Sequence, residues 1–480
     1  MRTKEDRKRG GALGAAAVGV AALGLGEVVA AARGGSLLDT IGRAMIDTAP
    51  IPVVEATVAM SGRHDKAATR AGVGAGVVAA TAVLGGLPGR IRVPGALAAG
   101  AATGALAAGR SAAGVLGAAA ATGVIATGLG RRPRTVFGAL GWAAAGAGLL
   151  GVAELLHRDL DRKQDTGIRR LGALGTAAPL PEDGLENEPG LSALITPEHK
   201  MYVADVNLRP PRIDPDRWRL SVTGQVAHTL RLSLADLVAD AVDFDAVMVC
   251  VHNRAGEGRA ANARWSGVPL ADLLQHAIPD AGATRLVTRA VDGYTISLPL
   301  AALRSGELPG YLVVGMNGQP LSPAHGFPAR VFVPGLYGQY TGAKWLSELE
   351  LADDTHSDYW VRRGWTRELL RVHPHARVDS TLPGREVAGT TTVAGVAWAP
   401  PHGVEAVEIR VGQEDWQSVE LGAELAPAAW RRWRTTLKLP AGSHTLQVRA
   451  ISRSGLTQDA TPRPPFPVGP TGLHTVTVEV

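Results

Sequence analysis

Cys250 is the only cysteine among 480 residues. It ends the apolar, β-branched run Val247-Met248-Val249 and opens a polar, glycine-containing loop that begins Val251-His252-Asn253-Arg254. A strand that gives way to a loop presents a side chain at the mouth of a pocket. A lone thiol closes no internal disulfide and cannot by itself build a Cys-rich zinc or iron–sulfur site. Three roles remain open to it: a buried spectator, a nucleophile, or one thiolate ligand to a soft metal whose other ligands come from a cofactor.

Three ordered blocks surround this residue. The first, 247–274, reads VMVCVHNRAGEGRAANARWSGVPLADLL; the second, 317–346, reads NGQPLSPAHGFPARVFVPGLYGQYTGAKWL; the third, 195–224, reads ITPEHKMYVADVNLRPPRIDPDRWRLSVTG. Together they resemble the cysteine loop, the pterin-binding stretch and the opening segment of the sulfite-oxidase-type molybdenum enzymes, in a membrane-anchored, actinobacterial-like bacterial form. The resemblance covers residues 197–480. It implies one molybdenum held by the dithiolene of a single pterin, with Cys250 as protein ligand and Tyr294 as the active-site tyrosine. A soft thiolate suits a high-valent metal and leaves an oxygen position free for transfer. For the pterin the resemblance implies Tyr202, Val203, His325, Arg330, Gly342, Ala343 and Lys344, with Asn253 and Arg254 shaping the cysteine loop beside them. Arg330 and Lys344 suit phosphate, as a fork and a point charge respectively. Arg264 and Trp265 read as packing. Two arginines of sulfite oxidases have no counterpart here: Ala204 and Ala255 stand in their places. The loss weakens a sulfite pocket and favours a less charged substrate such as a sulfoxide or N-oxide.

The elements that must position these residues alternate irregularly. Strands are expected over 217–224, 244–250, 284–288, 294–299, 311–316 and 329–334, and helices over 232–241, 269–277 and 300–305. That pattern is α+β rather than doubly wound. No G-x-G-x-x-G or P-loop opens a helix, so a nucleotide role lacks support. From residue 381 short alternating strands between Gly/Pro turns suit an immunoglobulin-like sandwich, which in the resembling family commonly mediates dimerisation and leaves a homodimer open. The expected plan is a transmembrane region at 1–157, a linker at 158–194, the molybdopterin domain at 195–372 and the sandwich at 373–480.

Residues 10–156 are mostly Ala, Gly, Val and Leu, whereas all but one of the ten Trp lie beyond them. Five weakly apolar stretches approach the ~17–25 residues of a membrane-crossing helix: 10–32, 71–89, 93–109, 111–130 and 135–156. Residues 36–60, charged and broken by Pro50 and Pro52, read as interfacial or loop, and Glu27 as lying near the outer interface. Basic residues bias the N-terminus to the cytoplasm, which puts the globular part outside it, on a multi-pass anchor in the lipid bilayer. Arg131-Arg132 before the last span resembles an internal twin-arginine export signal; a positive-inside anchor is the other reading. No span holds a histidine and no C-x-x-C-H occurs, so no haem is expected, nor an iron–sulfur cluster or flavin; electrons pass to a separate partner. The net charge of +5 is not gathered into a nucleic-acid-binding patch. The leading reading is therefore an oxidoreductase acting on a small molecule; the alternative is a membrane-anchored surface scaffold that keeps the fold without the chemistry.

Overall fold

The computed structural model describes residues 4–50, 65–86, 112–130, 136–175, 179–205, 207–341, 343–383 and 389–480. Contacts divide the chain into two units, Met1–Gly167 with Asp205–Arg212, and Ile168–Ala204 with Ile213–Val480.

The first unit is helical: α1 (Lys4–Ala31), α2 (Leu37–Thr48), α3 (Asp65–Gly86), α4 (Ala112–Gly130) and α5 (Val136–Arg170). Glycine lets backbones touch, as small residues do between apolar helices. A Cβ on Gly24 would lie 2.5 Å from the Gly146 carbonyl oxygen, and one on Gly26 2.7 Å from that of Gly117. Among the described residues, Leu13–Ala31 and Gly138–Arg170 are long and apolar enough to cross a membrane; Thr69–Leu84 and Gly114–Ile125 are apolar but shorter. The expected span 93–109 and the arginine pair Arg131-Arg132 lie outside the described residues.

Two expectations change. The stretch read as interfacial or loop holds helix α2, capped by Ser36, whose Oγ accepts from Asp39 N at 3.1 Å. Glu27 is 3% exposed and accepts from Leu37 N and Leu38 N at 2.9 and 3.1 Å, so its carboxylate serves that helix start. The expected linker is helical up to Arg170, because charged residues continue α5 with i,i+4 pairs such as Arg158–Glu154 and Lys163–Asp159.

Among the described residues, the second unit carries four sheets. One runs β2-β1-β10-β5-β6, built from β1 (Leu220–Gly224), β2 (Leu230–Leu232), β5 (Arg285–Ala290), β6 (Thr295–Pro299) and β10 (Leu346–Ala352). Within it only β1 and β10 pair in parallel. The other is β3-β4-β7-β8 with β9 on β7: β3 (Val242–Val249), β4 (Ala260–Pro269), β7 (Tyr311–Met316), β8 (Gln319–Pro320) and β9 (Arg330–Phe332). Short helices α6 (Leu234–Ala239), α7 (Leu270–Ala277), α8 (Leu300–Ser305) and α9 (Gly338–Thr341) complete an α+β module. Its core includes Trp265, Phe327 and Phe332, each at most 1% exposed.

The C-terminal part is all-β. Strands β11 (His375–Pro383), β12 (Thr390–Trp398), β16 (Arg431–Lys438) and β15 (Glu420–Leu421) form one antiparallel sheet. Strands β14 (Gln417–Ser418), β13 (Val404–Val411), β17 (Ser443–Ser452) and β18 (His474–Glu479) form the other. Val393, Trp433, Val407 and Val448, all fully buried and drawn from both sheets, share one core. Asn262 of β4 ties the two parts together: its Oδ1 accepts from Trp430 N at 3.2 Å, and its Nδ2 donates to Leu194 O at 2.9 Å.

Candidate active site

Strand β3 buries its last four residues, Ala246–Val249, and hands Cys250 to a tight loop. Cys250 N donates to Arg259 O and Asn253 N donates to Cys250 O, both at 2.9 Å. The Asn253 side chain accepts from Arg259 N at 2.7 Å, which closes the loop and returns the chain to β4. Cys250 is 9% exposed. Burial pushes its thiol up from the usual range, while the His252 backbone and Arg259 pull the other way. Arg254 is exposed.

Tyr202 comes to this cysteine from the opening segment and Gly338 from α9. A Cβ on Gly338 would lie 3.2 Å from Tyr202 Oη, 3.4 Å from Val249 O and 3.8 Å from Cys250 Cα, so glycine keeps the approach open. The Tyr202 hydroxyl is enclosed without a hydrogen-bond partner among the described residues; burial first, and then the nearby Cys250, push its phenol well above the usual range, against the pull of Arg330. Val203 is 42% exposed.

Residues of the second block lie close to one another. Arg330 starts β9 at 3% exposure. Its Nη1 donates to His325 O at 3.1 Å and its Nη2 to Thr341 O at 3.2 Å, with Met248 Sδ 3.3 Å away. The guanidinium stands 5.6 Å from the Trp265 ring centroid. Among the described residues no carboxylate lies within ion-pair distance of it, and its Nε and the Thr341 hydroxyl are enclosed without partners. Burial lowers Arg330 to about 10, so it remains a cation at neutral pH. His325 accepts or donates at Nδ1 with Ser322 Oγ, 2.8 Å away. Lys344 donates to Ala324 O at 2.9 Å and sits 4.5 Å over the Trp345 ring. Fully buried Ala343 accepts from Val331 N at 3.2 Å. Gly342 lies outside the described residues. Arg264 and Trp265 pack: Arg264 forks onto Asp245 with two 3.0 Å bonds, and Trp265 donates to Ala246 O at 3.1 Å.

Tyr294 is tied to the stretch that carries Gly338 and to Trp360. Its hydroxyl donates to Gln339 O at 2.8 Å and accepts from Trp360 Nε1 at 2.5 Å, so it braces the loop around residues 358–365. Three neighbours of the cysteine loop escaped the sequence reading. Tyr337 is buried, and Cys250 adds to the burial that raises its phenol. Trp365 meets the His252 ring edge-on at 6.2 Å between centroids. Phe466, from the all-β part, meets Trp365 at 5.1 Å. Tyr337 stands inside the second block without having been singled out there, Trp365 ends the aromatic-rich 359–365 segment, and Phe466 belongs to no spaced motif.

A thiol at a strand end stands beside an uncompensated buried cation and enclosed donors, an arrangement suited to an anionic ligand with a thiophilic centre. The family profile described as "Oxidoreductase molybdopterin binding domain" matches residues 207–360. Human "Sulfite oxidase, mitochondrial" is 29% identical over 319 residues, which cover 57% of this chain and 57% of that protein. "Uncharacterized oxidoreductase YuiH" of Bacillus subtilis is 33% identical over 153 residues, 32% of this chain and 74% of that one. The fold of the "Sulfane Dehydrogenase SoxCD from Paracoccus pantotrophus" superposes with a TM-score of 0.53 at 20% identity, over 66% of this chain and 90% of that one. The chain belongs to the sulfite-oxidase-type molybdopterin oxidoreductases and is an oxidoreductase of that kind.

The residues present fit the family's cofactor. A buried cation without a counter-charge and unsatisfied buried hydroxyls are destabilising unless a ligand compensates them. Arg330, Thr341 and Tyr202 supply both features next to the only thiol.

Proposed function

We propose that this chain is a membrane-anchored molybdenum–pterin oxidoreductase that carries out two-electron oxygen-atom transfer on a small, uncharged substrate outside the cytoplasm. The observation that carries this reading is Arg330, a buried arginine with no carboxylate among the described residues, in the same cluster as Tyr202 and Cys250. When bound, the cofactor supplies the oxygen-atom and electron chemistry. The chain's residues do the rest. Cys250 would hold the metal through its thiolate sulfur. Arg330 and Lys344 would receive the anionic end of the pterin, with His325 and Ala343 alongside, and Tyr202 would offer its enclosed hydroxyl. Asn253 fixes the cysteine loop, and Tyr294 acts by bracing Trp360. For a sulfoxide the balanced step is R2SO + 2H⁺ + 2e⁻ → R2S + H2O, with the electrons from a separate donor. Ala204 and Ala255 leave two positions without the cations that a sulfite dianion would call for, which favours the neutral substrate.

The helices Leu13–Ala31 and Gly138–Arg170 support the anchor, and we read the N-terminus as cytoplasmic. The paired sheets from His375 onward we read as an immunoglobulin-like domain following a molybdopterin domain over 195–372, with a homodimer as its natural assembly.

Protein purified in detergent from a host that makes the cofactor tests this reading. Wild type is expected to carry about one molybdenum per chain, and Cys250→Ser less than a tenth of that. The loaded protein is then offered sulfite with an artificial acceptor, and sulfoxides and N-oxides with an artificial donor. Metal-free wild type would instead favour a scaffold that keeps the fold; turnover of sulfite alone would reject the neutral substrate.

A further inference from the structure

The aromatic residues beside the cysteine loop come from three separate stretches and close a ring of contacts. His252 follows Cys250 by two residues and meets Trp365 at 6.2 Å. Trp365 meets Phe466 at 5.1 Å with the rings at 89°. Phe466 lies in a loop closed by Gly469 N donating to Pro465 O at 2.7 Å. At its far end a Cβ on Gly469 would come within 3.0 Å of Tyr337. Tyr337 is followed by Gly338, where an added Cβ would lie 3.8 Å from Cys250 Cα. The circuit therefore runs from the cysteine loop back to its neighbourhood and takes in a loop of the all-β part.

Trp365 contributes more than a wall to this ring. It is 4% exposed, and its indole N–H is enclosed with no acceptor among the described residues. A buried donor without an acceptor is destabilising, and buried indole N–H groups normally find a partner. Trp360 donates to Tyr294 Oη, Trp345 to Pro323 O and Trp265 to Ala246 O, whereas Trp398 and Trp433 of the all-β part share with Trp365 the lack of an acceptor among the described residues. The backbone around Trp365 is also firmly held. Its N donates to Trp360 O at 3.1 Å, Asp358 caps the turn through Val361 N at 3.1 Å, and Tyr340 Oη donates to Glu368 O at 3.0 Å. The unused donor thus sits on a braced loop.

We propose that Trp365 is a substrate-binding residue whose indole N–H donates a hydrogen bond to the oxygen of a neutral S-oxide or N-oxide, with the apolar flanks of that molecule against Phe466 and Tyr337. The proposal rests on the neutral-substrate reading above. A neutral N–H donor among aromatic rings offers one directed hydrogen bond and no charge, which matches a polarised, uncharged oxide and not a dianion. A site built to donate to one oxygen discriminates strongly against analogues that lack it.

The test compares Trp365→Phe, which removes only the N–H, with Trp365→Tyr, which restores a donor, both in detergent-purified full-length protein. With molybdenum content unchanged, Trp365→Phe is expected to raise KM at least tenfold for whichever of dimethyl sulfoxide or trimethylamine N-oxide is turned over. Its kcat should change less, and Trp365→Tyr should recover most of the loss. Phe466→Leu, which thins the wall without touching the donor, is expected to raise KM about threefold. A second readout needs no turnover: the ¹H–¹⁵N indole resonance that Trp365→Phe removes should move as the oxide is titrated in. Movement with the sulfoxide but not the N-oxide assigns the oxygen to sulfur, and the converse to nitrogen. A wild-type KM in Trp365→Phe, or an indole resonance unmoved by either oxide, overturns the role of Trp365 even if the enzyme reduces oxides. A fully loaded protein that reduces neither oxide overturns the functional reading, and the titration still decides the binding claim.

Discussion

Two regions of the second unit bury arginine in opposite ways. On the all-β part, Arg432 is 5% exposed and forks onto Asp183, whose side chain is fully enclosed. Nearby, Arg377 pairs with Asp379 at 2.6 Å. At the cysteine site Arg330 is buried more deeply than either, yet has only carbonyl oxygens and a thioether as partners. A paired buried arginine completes its own electrostatics and holds structure. An unpaired one is destabilising to the protein that carries it, and persists where a ligand of opposite charge repays it.

The sharpest way to break this comparison is to remove each arginine in turn from cofactor-free protein. Arg432→Met leaves the Asp183 carboxylate enclosed without its partner and is expected to lose about 3–5 kcal/mol of stability. Arg330→Met removes an uncompensated charge and keeps a chain against Trp265. Its cofactor-free stability should stay within about 1 kcal/mol of wild type, while molybdenum retained after dialysis falls at least tenfold. Denaturant unfolding and metal analysis read the two effects. If Arg330→Met unfolds as readily as Arg432→Met, Arg330 is structural and the contrast fails.

The sequence made one half of this contrast legible and hid the other. Cys250, His325, Arg330 and Lys344 stand in blocks whose order and spacing survive into space, because each block is a strand or turn of the same α+β module. Trp365 and Phe466 meet across 101 positions of chain with no shared motif. Periodicity records which face of an element is buried, not which distant loop packs on it. Tyr294 directly precedes β6, and its hydroxyl bonds Gln339 and Trp360; hydrogen bonds to loops leave no mark in a pattern of residue types. The helical continuation to Arg170 was missed for a related reason: hydropathy marks apolar helices, and this one continues on ion pairs.

A third way of burying a base sharpens the comparison through pH. The His375 ring nitrogens are enclosed in the all-β part: Nδ1 accepts from Gln458 Nε2 at 3.1 Å, and Nε2 has no partner among the described residues. Burial first, and then His474 and Arg377, lower its pKa to about 3 from an ordinary value of 6.5. Where Arg330 keeps its proton, His375 gives its own up. The unfolded chain binds a proton as pH falls through 6.5, and the folded chain does so only near 3. The stability His375 contributes is therefore present above 6.5 and is lost as pH falls across that window, by at most about 1.4 kcal/mol per pH unit. His375→Asn should flatten the acid limb of the stability curve between pH 6 and pH 4 (roughly one proton's slope). An unchanged slope in equilibrium unfolding would show that His375 is charged in the folded protein.

The smallest effect comes from an arginine that is paired but wet. Arg371 meets Glu307 at 2.8 Å with the two side chains 49% and 65% exposed. Water and salt screen such a pair, and ordering two long side chains offsets most of its attraction. Arg371→Ala should therefore change stability by less than about 0.5 kcal/mol, and the remaining difference should vanish in molar salt. A direct ion pair thus carries different weight at Arg371 and Arg432, because only the latter leaves a carboxylate out of reach of water when its partner goes. An Arg371→Ala loss comparable to that of Arg432→Met would mean that contact distance rather than burial governs these pairs. The bare cation at Arg330 would then no longer point to a ligand.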